Sequence, residues 1–457
     1  MPIRLRLPAL ERLLEVPLSA IDETALRRLS GVEEDGQLEF KEVRQTFLGD
    51  DKDRSELAKD VCAMANARGG LIIFGIGDES GRAGALLPFK PPTGEIRLRI
   101  AQILRSHTRP TPPFDVAVVN SVEKHGLIFV VLAIPRSADA PHARLRTDAR
   151  DGSDHRETWF QFPVRFEAGI DYLSESELAS RYEGRQRGLV QRQARLRDLL
   201  NSANPDRLAN PACFQLSVGA VPVNAGDFSI TNDAIHEWRG RIADMGRGDR
   251  SFGSNAQLAV ERHLIRQGSV RMVAHDGTIE MHSDGSLAAG YSWLAPEAKL
   301  LERHFQQPAA IQDYFLLTRL TTLASIAGAF AAEGAACSGD LLIAVRLTSL
   351  TETSRPRAMS LVGSAGQNET DFIPFVNDEL ACEVQLETQS SIDLLAGPVD
   401  TALTTEYHRL GTAVMQGLGL AECALTTRDG HVRPDSWPIG RQPELRQWAT
   451  RHAIPID

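Results

Sequence analysis

Three carboxylates and a lysine near the start of the chain have the types and spacing for chemistry. Glu34 precedes the run Leu38-Glu39-Phe40-Lys41, and Asp78 closes the run Leu71-Ile72-Ile73-Phe74-Gly75-Ile76-Gly77-Asp78. Oxygen ligands of this kind hold a hard divalent cation such as Mg2+ or Mn2+, and two or three suffice because Mg2+ keeps several waters. A cation so held polarises a phosphoryl group and activates water for phosphodiester hydrolysis. A lysine beside it orients the water or neutralises developing charge. Spacing alone leaves a plain alternative open, in which Glu34 and Asp78 are solvated turn acids and Glu39 makes a surface salt bridge with Lys41. Glu39-x-Lys41 also matches the Glu-x-Lys of restriction-type nucleases, with Glu34 as the preceding acid; that alternative keeps a nuclease and changes the fold.

Certain elements must carry these residues. In a strand over Leu38–Val43, Leu38 and Phe40 face one way, and Glu39 and Lys41 the other. A helix from about Ser55 to Ala67 has Leu57, Val61, Met64 and Ala65 at helical spacing, and Gly69-Gly70 ends it. Leu71–Gly77 reads as a single β run closed by a turn at Asp78–Gly81. If that run pairs beside Leu38–Val43, the three acids converge at one edge. No Gly-Lys-Ser/Thr follows Arg68-Gly69-Gly70, which argues against a phosphate loop; the glycines serve to end a helix and let strands approach closely. Further on, a helix over Glu95–Ser106 precedes strands at Phe114–Asn120 and Leu127–Ile134. Residues 136–158 read as an exposed loop, and Trp159–Phe166 as a last strand with Trp159 and Phe160 in the core. Ser174 with Glu177 forms a capping box at the head of a polar helix reaching Leu200.

At 457 residues the chain exceeds one ordinary domain. The division expected is a helical lead segment (1–30), an α+β domain carrying the acids (31–173), a connecting helix and linker (174–210), and a second mixed α/β domain (211–457). The net charge of −10 excludes a uniformly basic nucleic-acid binder, so any such surface is a local patch. Arg44, Arg144, Arg146, Arg150, Arg156 and Arg165 are the candidates for it. Five scattered cysteines without a CxxC fit a reducing compartment rather than a disulfide framework or zinc site. No signal peptide is recognisable in residues 1–20. The apolar stretch Ala309–Ala336 carries Gln312, Asp313, Arg319 and Glu333 and reads as a buried helix rather than a membrane span.

The ordered pattern Glu34, Leu38-Glu39-Phe40-Lys41, Ala65-Asn66-x-x-Gly69-Gly70 and Phe74-Gly75-Ile76-x-Asp78 resembles the Schlafen-type AlbA-like domain, over roughly residues 30–182. The resemblance implies an α+β fold and, in the family's nuclease members, metal-dependent endoribonuclease action on structured RNA such as tRNA. It implies Glu34, Glu39 and Asp78 as the acidic ligands of Mg2+ or Mn2+, with Lys41 beside them. It also implies an arginine-bearing strand at Phe162-Pro163-Val164-Arg165, a cytoplasmic setting in bacterial stress or antiviral defence, and a homodimer that rebuilds a two-lobed groove. Single-stranded DNA is a further candidate ligand. Relatives lacking the acids bind nucleic acid without cutting it, so the alternative is a non-catalytic transcriptional or defence regulator. No helicase-like region and no motif of known chemistry appears in residues 211–457.

Overall fold

A computed structural model describes residues 3, 5, 7–43, 46–149, 156–167, 169–203, 213–253, 258–275, 277–293, 309–350, 359–363, 373–374 and 382–457. The fold is mixed α+β, and its contacts divide the chain into two compact units, Met1–Gln191 and Arg192–Asp457.

The first unit is built on a four-stranded sheet of order β1-β2-β7-β6. Its elements up to β2 are α1 (Pro8–Leu14), α2 (Glu23–Arg27), β1 (Leu38–Lys41), α3 (Asp51–Ala65) and β2 (Gly69–Phe74). β3 (Ile76–Asp78), β4 (Ala83–Leu86), α4 (Ile96–His107), β5 (Thr108–Arg109), β6 (Asp115–Asn120) and β7 (Ile128–Pro135) follow. β1 and β2 run parallel, with Glu39 beside Ile72 and Lys41 beside Phe74; β2–β7 and β7–β6 are antiparallel. Leu38, Phe40, Leu71 and Ile73 pack with Leu10, Leu14, Leu18 and Leu26 of the lead segment, so that segment shares the core of the sheet. On the opposite face Ile72 and Phe74 pack with Leu57, Val61 and Met64 of α3 and with Ile100 of α4. β1 is the outer strand and its apolar residues take the first face, which leaves Glu39 and Lys41 under α3.

Asp50 caps α3, its Oδ1 accepting the Asp53 N–H at 2.7 Å, which starts the helix earlier than the apolar spacing indicates. The expected single run Leu71–Gly77 is broken at Gly75, whose φ of +99° is open to glycine at no steric cost. β3 leaves the sheet there and forms a hairpin with β4. Gly70 is dictated by crowding, since a Cβ on it would lie 2.3 Å from the Gln37 carbonyl oxygen.

Residues 136–158 depart from the loop expected. β8 (Ala143–Ala149) and β9 (Arg156–Gln161) pair as a ribbon with β5; residues 150–155 lie outside the described residues. β9 is the outer strand, so Trp159 and Phe160 are 52% and 61% exposed rather than in the core. β10 (Pro163–Phe166) and β11 (Gly169–Tyr172) form a hairpin, and α5 (Glu175–Ser202) begins with the expected capping box, the Ser174 N–H reaching Glu177 Oε2 at 2.8 Å.

The second unit has a seven-stranded antiparallel sheet of order β13-β14-β15-β16-β12-β17-β18, from β12 (Cys213–Pro222) through β13 (Val260–Arg266), β14 (Ser269–Ala274), β15 (Gly277–His282), β16 (Leu287–Trp293) and β17 (Asp340–Leu350) to β18 (Glu383–Ser391). One face packs on the helices Asn232–Gly246, Asp313–Ala329 and Thr401–Gln416. The other is covered by Leu196, Leu199 and Leu200 from the end of α5. The stretch Asp313–Gly334 is long and apolar enough to cross a membrane, and 94% of its most apolar window is buried inside this unit. The expected linker at 201–211 lies mostly outside the described residues.

Replacing Gly70 with alanine forces its new methyl against the Gln37 backbone, where no side chain can yield. Urea unfolding of Gly70→Ala is expected to show a loss of about 2 kcal/mol or more, the cost of overpacking a rigid core; an unchanged midpoint would contradict the crowding.

Candidate nucleic-acid and metal site

The site is arranged around the free edge of β1. An outer strand leaves backbone groups unpaired, and here side chains take them. Glu34 Oε1 accepts the Phe40 N–H at 2.8 Å, and Arg165 donates to the carbonyls of Leu38 (3.1 Å) and Asp35 (2.9 Å). Glu34 is itself set by its own N–H, which donates to the Gly81 carbonyl at 2.8 Å and holds it beside the β3–β4 turn. Asp78 lies at that turn, Oδ1 accepting the Gly81 N–H at 2.7 Å.

Glu39 is buried, with each oxygen facing a cation. Its Oε2 meets Arg165 Nη1 at 2.5 Å, and its Oε1 meets Lys41 Nζ. Lys41 in turn lies 2.9 Å from Oδ2 of Asp60 on α3. Burial works against the Lys41 ammonium, but Asp60 and Glu39 outweigh it and hold the proton above the ordinary lysine range. Lys41 is therefore a fixed cation, not a base. Asp60 escapes a search for motifs, yet a signal was present: three residues after Leu57 and four before Met64, it is an acid on the apolar stripe of α3.

Asn66 of the Ala-Asn-x-x-Gly-Gly motif has a positioning role. Its Nδ2 donates to the carbonyls of His142 and Pro163, both at 2.8 Å, and its Oδ1 accepts the His142 N–H at 2.7 Å. It thereby fixes the start of β10, two residues before Arg165.

The arginines expected to meet nucleic acid separate. Arg165 is 4% exposed and spent on Glu39 and two carbonyls, and Arg144 is 9% exposed with Nη2 on Ser55 Oγ at 2.6 Å. Burial removes both from the expected RNA contact. Arg146 is exposed, opposite Trp159 in the β8–β9 register. Arg44, Arg150 and the Arg156 side chain lie outside the described residues.

Burial raises the proton affinity of Glu34; the bond from the Phe40 N–H opposes this, and the charges of Glu39 and Asp78 add to it. The three acids thus share one field, but they are not a closed ligand set. Among the described residues no three His, Cys, Asp or Glu side chains form a ready metal cluster. Two causes are visible. β3 leaves the sheet at Gly75, so Asp78 sits on a separate hairpin rather than on the strand paired with β1, and Lys41 with Arg165 already neutralises Glu39. As all-oxygen donors with mutual repulsion, Glu34 and Asp78 suit a hard divalent cation in their chemistry; Glu39 fits only as a ligand shared with its two cations.

Residues 34–159 match the family described as Schlafen, AlbA_2, so the N-terminal unit carries a domain of that type. The match suggests a nucleic-acid-related function. No curated protein matches the chain. Among solved structures, the DIP2311 protein from Corynebacterium diphtheriae is similar at 15% identity over 58% of this chain, with a TM-score of 0.23, a likeness too slight to bear on the fold. The chain spans 38% of that protein's length.

A carboxyl whose proton is held more tightly after folding stabilises the fold below its ordinary value, 4.5 for Glu34, and loses that contribution as pH rises through the folded-state value. Carbon-detected NMR titration of the Glu34 carboxyl should therefore give a value above 4.5 that falls in Asp78→Asn. A midpoint indifferent to that substitution would show that the acids do not share a field.

Proposed function

We propose that the N-terminal unit is a divalent-metal-dependent endoribonuclease acting on structured, tRNA-like RNA. Glu34 and Asp78 would hold Mg2+ or Mn2+, with Glu39 shared between the cation and its own partners. The observation that carries this is geometric: Glu34 is held on the Phe40 N–H of β1 and on the Gly81 carbonyl, and the Gly81 N–H is bound by Asp78, so the two acids stand at one turn beside Glu39, where a cation would relieve their repulsion. A divalent ion there supplies polarisation of the phosphoryl group and an acidified water. Lys41 remains protonated, holds Glu39 in place and contributes fixed positive charge near the scissile phosphate. Arg165 and Asp60 orient that pair from β10 and α3. One copy of the domain presents one lobe, and this reading has two chains forming the RNA groove as a homodimer. Its setting would be bacterial stress or antiviral defence in the cytoplasm.

A second reading, a regulator that binds nucleic acid without cutting it, is favoured by one observation: both oxygens of Glu39 are occupied by protein cations. Labelled tRNA and single-stranded DNA, incubated with Mn2+ or EDTA, separate the two. The nuclease reading expects metal-dependent tRNA cleavage that falls at least about 100-fold in Glu39→Ala and Asp78→Ala, the scale of what a catalytic metal supplies. Equal cleavage by both variants would remove the site assignment, and tight binding without cutting would favour the regulator.

A further inference from the structure

A cleft of about 1040 Å³ opens beside Glu34; its lining mixes four acids, Glu33, Glu34, Asp35 and Glu167, with four arginines, Arg68, Arg136, Arg165 and Arg181, and includes Phe166. Three of its features point to one ligand chemistry. First, Arg68 and Arg136 are exposed, and neither guanidinium has an acidic partner among the described residues. Second, the fold sets them side by side. Gly69 pairs with Pro135 in the antiparallel β2–β7 register, and Arg68 and Arg136 are the residues next to that pair where both strands leave the sheet. The two backbones approach closely there, a Cβ on Gly69 lying 2.7 Å from the Arg136 backbone nitrogen. Third, Phe166 at the end of β10 is 56% exposed on the same cleft. The nearby Arg181 is pinned to the Asn66 carbonyl and Arg165 is buried, so neither competes for this role.

We infer that this cleft binds an unpaired segment of RNA, with Arg68 and Arg136 on consecutive backbone phosphates and Phe166 stacked on a base. Paired guanidiniums match phosphate oxygens in geometry as well as charge, and an exposed aromatic ring accepts a base only when that base is unpaired. The inference rests on the proposed nuclease reading for its substrate class, and it adds the residues that deliver a strand to Glu34. It also replaces the buried Arg144 and Arg165 as the phosphate contacts.

The test is fluorescence anisotropy of the full chain with a fluorescein-labelled single-stranded oligouridylate, in EDTA so that no cleavage intervenes, over a range of KCl. Arg68→Ala/Arg136→Ala is expected to lower the slope of log affinity against log salt by about 1.4, two single-strand phosphate contacts. Phe166→Ala is expected to weaken binding about tenfold with the slope unchanged, the signature of a lost stacking contact. Arg68→Lys/Arg136→Lys should keep the slope, and thermal unfolding midpoints should match the wild type. Unchanged affinity and slope in the alanine pair would overturn the inference, as would equal binding of a blunt RNA duplex by wild type and all variants. The two proposals fail separately. Slope loss without any Mn2+-dependent cleavage keeps the cleft and removes the nuclease; cleavage that the alanine pair leaves intact, with wild-type binding, does the reverse.

Discussion

Glu39 is an acid buried between two cations, and the first unit is organised around it. Its partners come from different parts of the chain, Lys41 from the same strand and Arg165 from β10, with Asp60 of α3 completing the row. Removing one partner from such a buried group typically costs about 3–5 kcal/mol, because a charge is left without compensation. The row therefore binds edge strand, helix and hairpin together, and Arg165 also satisfies two carbonyls at the β1 edge. Asn66 supports it from behind by fixing where β10 begins.

This arrangement divides the acids by environment. Glu39 is neutralised inside the protein, whereas Glu34 and Asp78 stand nearer the surface, Glu34 on the segment before β1 and Asp78 at the end of β3. Glu34 carries the consequence, since burial and the fields of the other two acids both raise its proton affinity. The neighbouring cleft adds Arg68 and Arg136, which have no acidic partner among the described residues, to a lining that also holds Glu33, Asp35 and Glu167. An acidic centre beside a small basic patch suits a polyanion on a protein whose net charge is −10.

Much of this was legible in the residues alone. Alternation in Leu38-Glu39-Phe40-Lys41 placed the apolar pair on one face and the charged pair on the other, as found, because a half-buried strand has a period of two. The helix with Leu57, Val61 and Met64 and the capping box at Ser174 were likewise readable from local chemistry, whereas the pairing of β1 with β2 is supplied by the structure. What escaped depends on tertiary context. Gly75 looked like part of a strand until its positive φ sent β3 out of the sheet. Arg144 and Arg165 looked like loop and strand cations for RNA, yet long-range partners bury them. Trp159 and Phe160 looked like core, but among the described residues no layer covers the outer strand they occupy. Arg68 and Arg136 are distant in sequence, and only the β2–β7 register brings them together.

The proposed cation site beside β1 requires Asp78 to take part despite its place on a separate hairpin. Electron paramagnetic resonance of Mn2+ titrated into the full chain measures this directly, because bound ion leaves the free-ion signal. The account predicts saturable binding by the wild type that is lost in Asp78→Asn while the unfolding midpoint is kept. Undiminished Mn2+ binding by Asp78→Asn, or none by the wild type, would contradict it.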